Sequence, residues 1–175
     1  VDSLVGSEMC IRDSYKTDDD LNVSIIVDSF EEKKLNSPND VCVKSDDTIW
    51  FTDPPYGILS DYEGYKGEQE YDGCYVFKFD PHAQNLEVMT KNLDRPNGIA
   101  FSHDEKKLYI ADTGADVKCL YVFDVINNKI SNQQLVYDFK PFFSDGFRCD
   151  KDGNIWTSAG TVSYTHLRAH ETVDY

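Results

Sequence analysis

The sequence has few features that would place it in a membrane, in an oxidising compartment or on nucleic acid. No stretch approaches the roughly 18 consecutive apolar residues that a membrane-spanning helix needs. The five cysteines are an odd number without a C-x-x-C pair, which favours a reducing, cytoplasmic location. Basic residues are scarce, and a net charge of -15 would repel a polyphosphate backbone. We therefore expect neither a membrane nor nucleic acid as a partner, while the oligomeric state stays open.

Both ends of the chain differ from its middle. Residues 1–14 and 162–175 carry neither the apolar and polar alternation nor the turn residues seen between them. They resemble translated adaptor sequence, so we interpret them as artefactual flanks and expect them to lie outside any sheet. Residues 15–161 are then long enough to form one domain with a core.

The middle of the chain contains three related segments. They begin at Ser37, Arg95 and Phe143 and read SPNDVCVKSDDTIWFTDP, RPNGIAFSHDEKKLYIADT and FSDGFRCDKDGNIWTSAG. Asn39, Asn97 and Asp145 occupy the same place in the three segments, 58 and 48 residues apart. This spacing is typical of a four-stranded propeller blade and too long for most helical repeats.

Each repeat begins with a hairpin. In the third repeat Asp152-Gly153 is a strong turn signal between two strands. Two further strand patterns follow each of the first two hairpins, and no helix pattern competes with them. The sequence thus predicts an all-β chain with the tail of one blade, two full blades and the opening of a fourth.

The three aligned polar residues are the first candidate site. Because the first strand of each propeller blade lines the central channel, Asn39, Asn97 and Asp145 should converge on one mouth of it. A ring of amide and carboxylate oxygens suits one hard divalent cation, calcium first, with magnesium, manganese or zinc as alternatives. Asn and Asp also occur at turns for backbone reasons alone. Three aligned instances favour the metal.

The connection from Asp53 to Tyr71 is the second candidate feature. It is rich in Gly, Pro and Tyr, and loops this long within a compact fold tend to be functional. Asp53 closes the second strand of its hairpin, so it should share a face with Asn39. We interpret the segment as a substrate lid with Asp53 and Tyr56 nearest the substrate, the alternative being an exposed loop.

These motifs resemble the senescence-marker-protein, gluconolactonase and regucalcin family of six-bladed β-propellers. The resemblance covers roughly residues 21–160 and is strongest to bacterial-type gluconolactonases, over the run LNSPNDVCVKSDDTIWFTDPPYGI and the two later repeats. It implies that this chain is a partial six-bladed propeller of about three blades of four antiparallel strands. It also implies one divalent ion at the channel mouth and hydrolysis of sugar lactones or related esters.

The resemblance further implies roles for individual residues. Asn97 and Asp145 would be metal ligands, Asn39 would contact the metal or the substrate, and Asp145 would also accept the proton. A glutamate ligand of the family's first blade has no counterpart here, and Ser37 stands where some members have an arginine. We therefore expect a lactone hydrolase whose present fragment is inactive.

Two other functions remain open. A non-catalytic calcium-binding or scaffold propeller could use the same ring of oxygens. A metal-free propeller enzyme of the strictosidine-synthase type would not need the three aligned residues together. Asp40 likewise has two interpretations, as an orienting partner of the metal-binding amides or as a simple hydrogen-bonding residue at a strand start.

Overall fold

The computed structural model describes residues 4–7, 12, 14–17, 22–62, 64–159 and 162–168, and the regular secondary structure of these residues is almost entirely β-strand. The first sheet contains β1 (Leu4–Ser7), β2 (Ser14–Thr17) and β3 (Val23–Val27), and the ribbon β4 (Ser29–Phe30) and β5 (Lys33–Lys34) follows. The second sheet contains β6 (Val41–Val43), β7 (Ile49–Asp53), β8 (Cys74–Asp80) and β9 (Asn85–Leu93), with helix α1 (Tyr56–Leu59) after β7. The third sheet contains β10 (Pro96–Phe101), β11 (Lys107–Asp112), β12 (Cys119–Ile126) and β13 (Lys129–Asp138). The fourth contains β14 (Ser144–Cys149), β15 (Asn154–Ala159) and β16 (Val162–Arg168).

Within every sheet each strand pairs antiparallel with the next strand along the chain. Such four-stranded meanders, repeated side by side, are the blades of a β-propeller. The predictions of an all-β propeller fragment and of two complete blades are confirmed. Gly153 has a φ of 83°, as the predicted turn between β14 and β15 requires.

The hydrophobic core lies between blades. In β7, Phe51 faces the preceding sheet and stacks on Phe77, with ring centroids 5.3 Å apart. Its neighbour Trp50 points the opposite way and packs against Ile99 and Leu108 of the next blade. Because both faces of these strands are buried, the sequence reads as a continuous apolar run and not as a strict alternation.

The third sheet repeats this arrangement. Leu108 of β11 belongs to the cluster shared with the second sheet, whereas Tyr109 packs with Phe147 and Ile155 of the fourth sheet. Strand β10 lies against β14 on one side and against β6 and β7 on the other. The first strands of three successive blades are therefore neighbours, which is the arrangement that brings their ends together.

Both flanks contain a strand among the described residues, while their interpretation as artefactual sequence stays a prediction. Strand β1 lies within residues 1–14 and pairs with β2, and β16 lies within 162–175 and pairs with β15. A strand edge offers backbone N–H and C=O groups to any extended segment, so pairing does not require an alternating side-chain pattern. Among the described residues no helix is long and apolar enough to cross a membrane.

Candidate active site

Two of the aligned polar residues, Asn97 and Asp145, lie at irregular points of the inner strands. The register of β10 with β11 shifts between Pro96 and Ile99, and that of β14 with β15 shifts between Ser144 and Phe147. Bulges of this kind redirect side chains and are common beside active sites. The pairs Asn97-Gly98 and Asp145-Gly146 therefore mark bulges, and the side chains of Asn97 and Asp145 point away from the regular sheet there.

A pocket of about 360 Å³ lies beside the beginnings of β6, β10 and β14, the first strands of three consecutive blades. Its size is within the range of small-molecule sites. The residues that line it come from three consecutive blades and are Asn39, Tyr56, Asn97, Thr113, Lys118, Phe143 and Asp145. The structure thus brings together all three residues predicted to bind metal, together with Tyr56 from the predicted lid.

Asn97 is the most enclosed of the three, with 6% of its surface exposed. Its Nδ2 donates to Thr113 Oγ1 over 3.3 Å, and its backbone oxygen accepts a 2.7 Å hydrogen bond from the hydroxyl of Thr52 in the neighbouring blade. Its side-chain oxygen Oδ1 is buried and accepts no hydrogen bond from the part of the chain that the structure describes. A buried acceptor without a donor is costly, so this oxygen is suited to a cation.

Asp145 supplies the carboxylate of the pocket and is exposed to solvent. Asn39 is partly buried just before β6, where its backbone N–H donates to Thr52 O over 2.9 Å. The two amides and one carboxylate therefore reach the pocket from three blades. One acidic and two neutral oxygen donors suit a hard cation better than a soft one.

Tyr56 reaches the pocket from helix α1, directly after β7. Its hydroxyl is hydrogen-bonded to the hydroxyl of Thr113, and burial raises the pKa of this phenol above its usual value. Gly67 N donates to Ile58 O over 3.0 Å, which folds the rest of the connection back onto α1. The connection is thus partly ordered, and its role as a lid stays a prediction.

Lys118 and Phe143 are lining residues that the sequence interpretation missed. The Lys118 ammonium donates to the backbone oxygens of Gly114 and Thr113, over 2.5 and 3.3 Å, and lies 5.9 Å from the ring centre of Phe143. Lys118 belongs to the loop after β11, which corresponds to the long connection after β7. This correspondence could have indicated that Lys118 lies near the pocket, because equivalent loops of successive blades lie on the same face of a propeller.

Asp53, which the sequence predicted to lie near the substrate, does not line this pocket, and its contact with the substrate stays a prediction. Asp53 is fully buried. Its two carboxylate oxygens accept 2.8 Å hydrogen bonds from the backbone N–H groups of Asn36 and Ser37, and the Tyr71 hydroxyl donates to it as well. Burial raises the pKa of Asp53 to about 7, against the opposing effect of the backbone hydrogen bonds and of Arg12. In this structure Asp53 holds the segment that leads into β6.

Asp112 repeats this arrangement one blade later. Its carboxylate accepts hydrogen bonds from the backbone N–H groups of Asp94 and Arg95, over 2.9 and 2.8 Å. The third repeat has Ala159 at the aligned position. The shared aspartate of the first two repeats therefore binds the backbone of the segment that precedes the inner strand. Its repetition in the sequence could not distinguish this role from substrate binding.

Asp40 connects three blades at the inner strands. Its Oδ1 accepts from Val41 N over 3.0 Å, the hydrogen bond expected at a strand start. Its Oδ2 also accepts from Ile99 N over 2.9 Å and lies 3.5 Å from the guanidinium of Arg148. The carboxylate thus links β6 to β10, the strand that carries Asn97, and to Arg148 of β14.

Gly98 is required by the close approach of β14. A Cβ atom at Gly98 would lie 2.3 Å from the backbone oxygen of Asp145 and 2.9 Å from the Phe147 ring. We expect Gly98→Ala to lower the free energy of unfolding by about 1–3 kcal/mol, because backbone and ring must both shift. Gly146→Ala is the matched control, since a Cβ there meets nothing within 4 Å. Urea unfolding of both variants measures the difference, and equal stabilities would contradict the close approach.

The fold and the pocket together define a fragment of a β-propeller with a pocket lined by amide and carboxylate side chains of three consecutive blades. The sequence model described as the SMP-30/Gluconolactonase/LRE-like region matches residues 6–170. The chain belongs to this family.

Individual relatives agree with the family. A gluconolactonase of Zymomonas mobilis subsp. mobilis is 34% identical over 145 residues, covering 78% of this chain and 40% of the relative. A lactonohydrolase of Aspergillus oryzae is 29% identical over 109 residues, covering 49% of this chain and 23% of the relative. The solved structure of a Xanthomonas campestris gluconolactonase superposes with a TM-score of 0.89 at 31% identity, covering 95% of this chain and 55% of that one. The chain thus spans about half, or less, of the length of these relatives.

Proposed function

We propose that the full-length protein containing this chain hydrolyses sugar lactones or related esters with the help of one divalent cation. Asn39, Asn97 and Asp145 would hold the cation. The observation that carries the proposal is the buried Oδ1 of Asn97, which has no hydrogen-bond partner among the described residues and lies in the same pocket as the exposed carboxylate of Asp145. Membership of the family and the gluconolactonase relatives support the class of substrate.

The donor set favours a hard cation. Among the described residues there is no group of three or more His, Cys, Asp or Glu side chains that could hold a metal ion. A ligand set built around Asp145 from the described pocket residues would therefore include amide oxygens. Calcium accepts many neutral oxygen ligands, so it is our first choice, with magnesium, manganese and zinc to be compared.

The chemistry follows from the lining residues. A divalent cation in the pocket would polarise the lactone carbonyl and lower the pKa of a neighbouring water. Asp145 accepts the proton of the attacking water as the new C–O bond forms. The tetrahedral carbon then expels the ring oxygen, which takes the proton back from Asp145 to give the open-chain hydroxy acid. Asn39 and Tyr56 line the same pocket and contact the substrate. Asn39 would bind either the substrate or the cation.

Removing the cation from the full-length protein should reduce the hydrolysis of glucono-1,5-lactone by about 100-fold or more. Proton release at constant pH, corrected for spontaneous hydrolysis, measures the rate before and after dialysis against a chelator. Adding back calcium, magnesium, manganese or zinc should restore it to different extents. The described chain by itself, which spans only part of its relatives, is expected to be inactive.

The same experiment separates the other two functions. Undiminished turnover after complete metal removal would favour a metal-free propeller enzyme. Tight calcium binding without hydrolysis of any lactone or ester tested would favour a calcium-binding or scaffold propeller.

A further inference from the structure

The side-chain amide of Asn97 has two chemically different ends, and only the oxygen end can bind a cation. The nitrogen end donates hydrogen bonds and would repel a metal ion. The value of Asn97 as a ligand therefore depends on which end faces the pocket. Nothing in the amide itself fixes this, because the two ends have nearly the same size. The choice must come from the groups around it.

Thr113 determines which end of the Asn97 amide faces away from the pocket. Thr113 follows β11, and its backbone N–H donates to Arg95 O over 3.0 Å, which fixes the residue beside Asn97. Its hydroxyl lies 3.4 Å from the same carbonyl oxygen. The remaining contacts of Thr113 Oγ1 are the Tyr56 hydroxyl and Asn97 Nδ2, at 3.3 Å. Arg95 O can only accept, so the hydroxyl hydrogen has an acceptor there. Either oxygen can donate in the contact between Tyr56 and Thr113, whereas Asn97 Nδ2 donates to Thr113 Oγ1.

We infer that Thr113 is a positioning residue that turns the Asn97 amide so that Oδ1 faces the cation, with Tyr56 holding the Thr113 hydroxyl in place. This inference rests on the proposed function, because it assumes a cation in the pocket. Thr113 and Asn97 are both buried, with 8% and 6% of their surfaces exposed, so solvent does not compete strongly for these hydrogen bonds. Tyr56 joins the connection after β7 to the same network.

The arrangement is particular to the second repeat. At the position of Thr113 the first repeat has Pro54 and the third has Gly160, neither of which has a side-chain hydroxyl. Asp145 needs no such partner, because both ends of a carboxylate are oxygens. A threonine hydroxyl is thus available to Asn97 and not to Asn39, the other amide, which has Pro54 at the corresponding place. A general role of Thr113 in strand pairing would not depend on its hydroxyl.

The test is the affinity of the full-length protein for calcium alone, measured by isothermal titration calorimetry without substrate. Thr113→Val keeps the shape of the side chain and removes the hydroxyl, so we expect calcium affinity to fall by about 10–100-fold. Thr113→Ser restores the hydroxyl and should bind within about 3-fold of the wild type. Tyr56→Phe should have a smaller effect than Thr113→Val, because it loosens Thr113 without removing the acceptor. Thermal unfolding of each variant confirms that the fold is retained.

A double-mutant cycle distinguishes positioning from a structural role. In an Asn97→Asp background both ends of the side chain are oxygens, so Thr113→Val should change calcium affinity by less than about 3-fold. An equally large loss in both backgrounds would assign Thr113 a structural role and overturn the inference. Unchanged calcium affinity in Thr113→Val would overturn it while leaving the metal site standing. A wild-type protein that binds none of the four cations would overturn the metal site and this inference together.

Discussion

Asp145→Asn in the full-length protein is expected to reduce lactone hydrolysis by at least about 100-fold while the fold is retained. The side chain is exposed and the substitution keeps its size, so packing does not change. The variant removes the only negative charge among the described pocket residues and also the group that accepts the proton. Rates measured against added calcium, manganese and zinc, together with a thermal unfolding curve, test both parts of this expectation.

Asn97→Ala is the matched comparison. It removes one neutral ligand and no proton acceptor, so activity should return in part at high metal concentration. Asp145→Asn should show no such recovery, because added metal cannot replace the base. Full turnover by Asp145→Asn without added metal would exclude the metal-dependent mechanism.

Asp53→Ala is expected to lower the free energy of unfolding by about 3 kcal/mol or more, because three buried donors lose their shared acceptor. These donors are the backbone N–H groups of Asn36 and Ser37 and the hydroxyl of Tyr71. Urea unfolding measures the loss. Asp116→Ala, at an exposed position, should change stability by no more than about 0.5 kcal/mol.

This variant also decides between the two roles considered for Asp53. A role in holding the chain predicts a large loss of stability. A substrate contact, as the sequence suggested, predicts unchanged stability with a raised KM for the lactone. A stable Asp53→Ala protein with a raised KM would therefore restore the original interpretation.

The repeats carried most of the predictable information. Three aligned Asn or Asp residues, each followed by a hairpin, were sufficient to predict successive blades and a shared pocket for Asn39, Asn97 and Asp145. Identical positions in successive repeats must occupy equivalent places when the repeats pack side by side. Long-range placement could be deduced here because it was encoded as repetition.

Features without a repeated pattern were beyond this reasoning. Thr113 has no counterpart of the same chemistry in the other repeats, so alignment did not single it out. Asp53 is repeated as Asp112, but the repetition marked it as important without showing that its carboxylate turns to the backbone. Strand β16 pairs through its backbone, which side-chain patterns do not reveal.

The alternation of Trp50 and Phe51 across β7 has a consequence for how the molecule is divided. These neighbouring residues belong to two different apolar clusters, one on each side of the same sheet. A single blade therefore has no hydrophobic core of its own. The apolar contacts between adjacent blades stabilise the fold. A cut made at a repeat boundary therefore passes through the middle of a core.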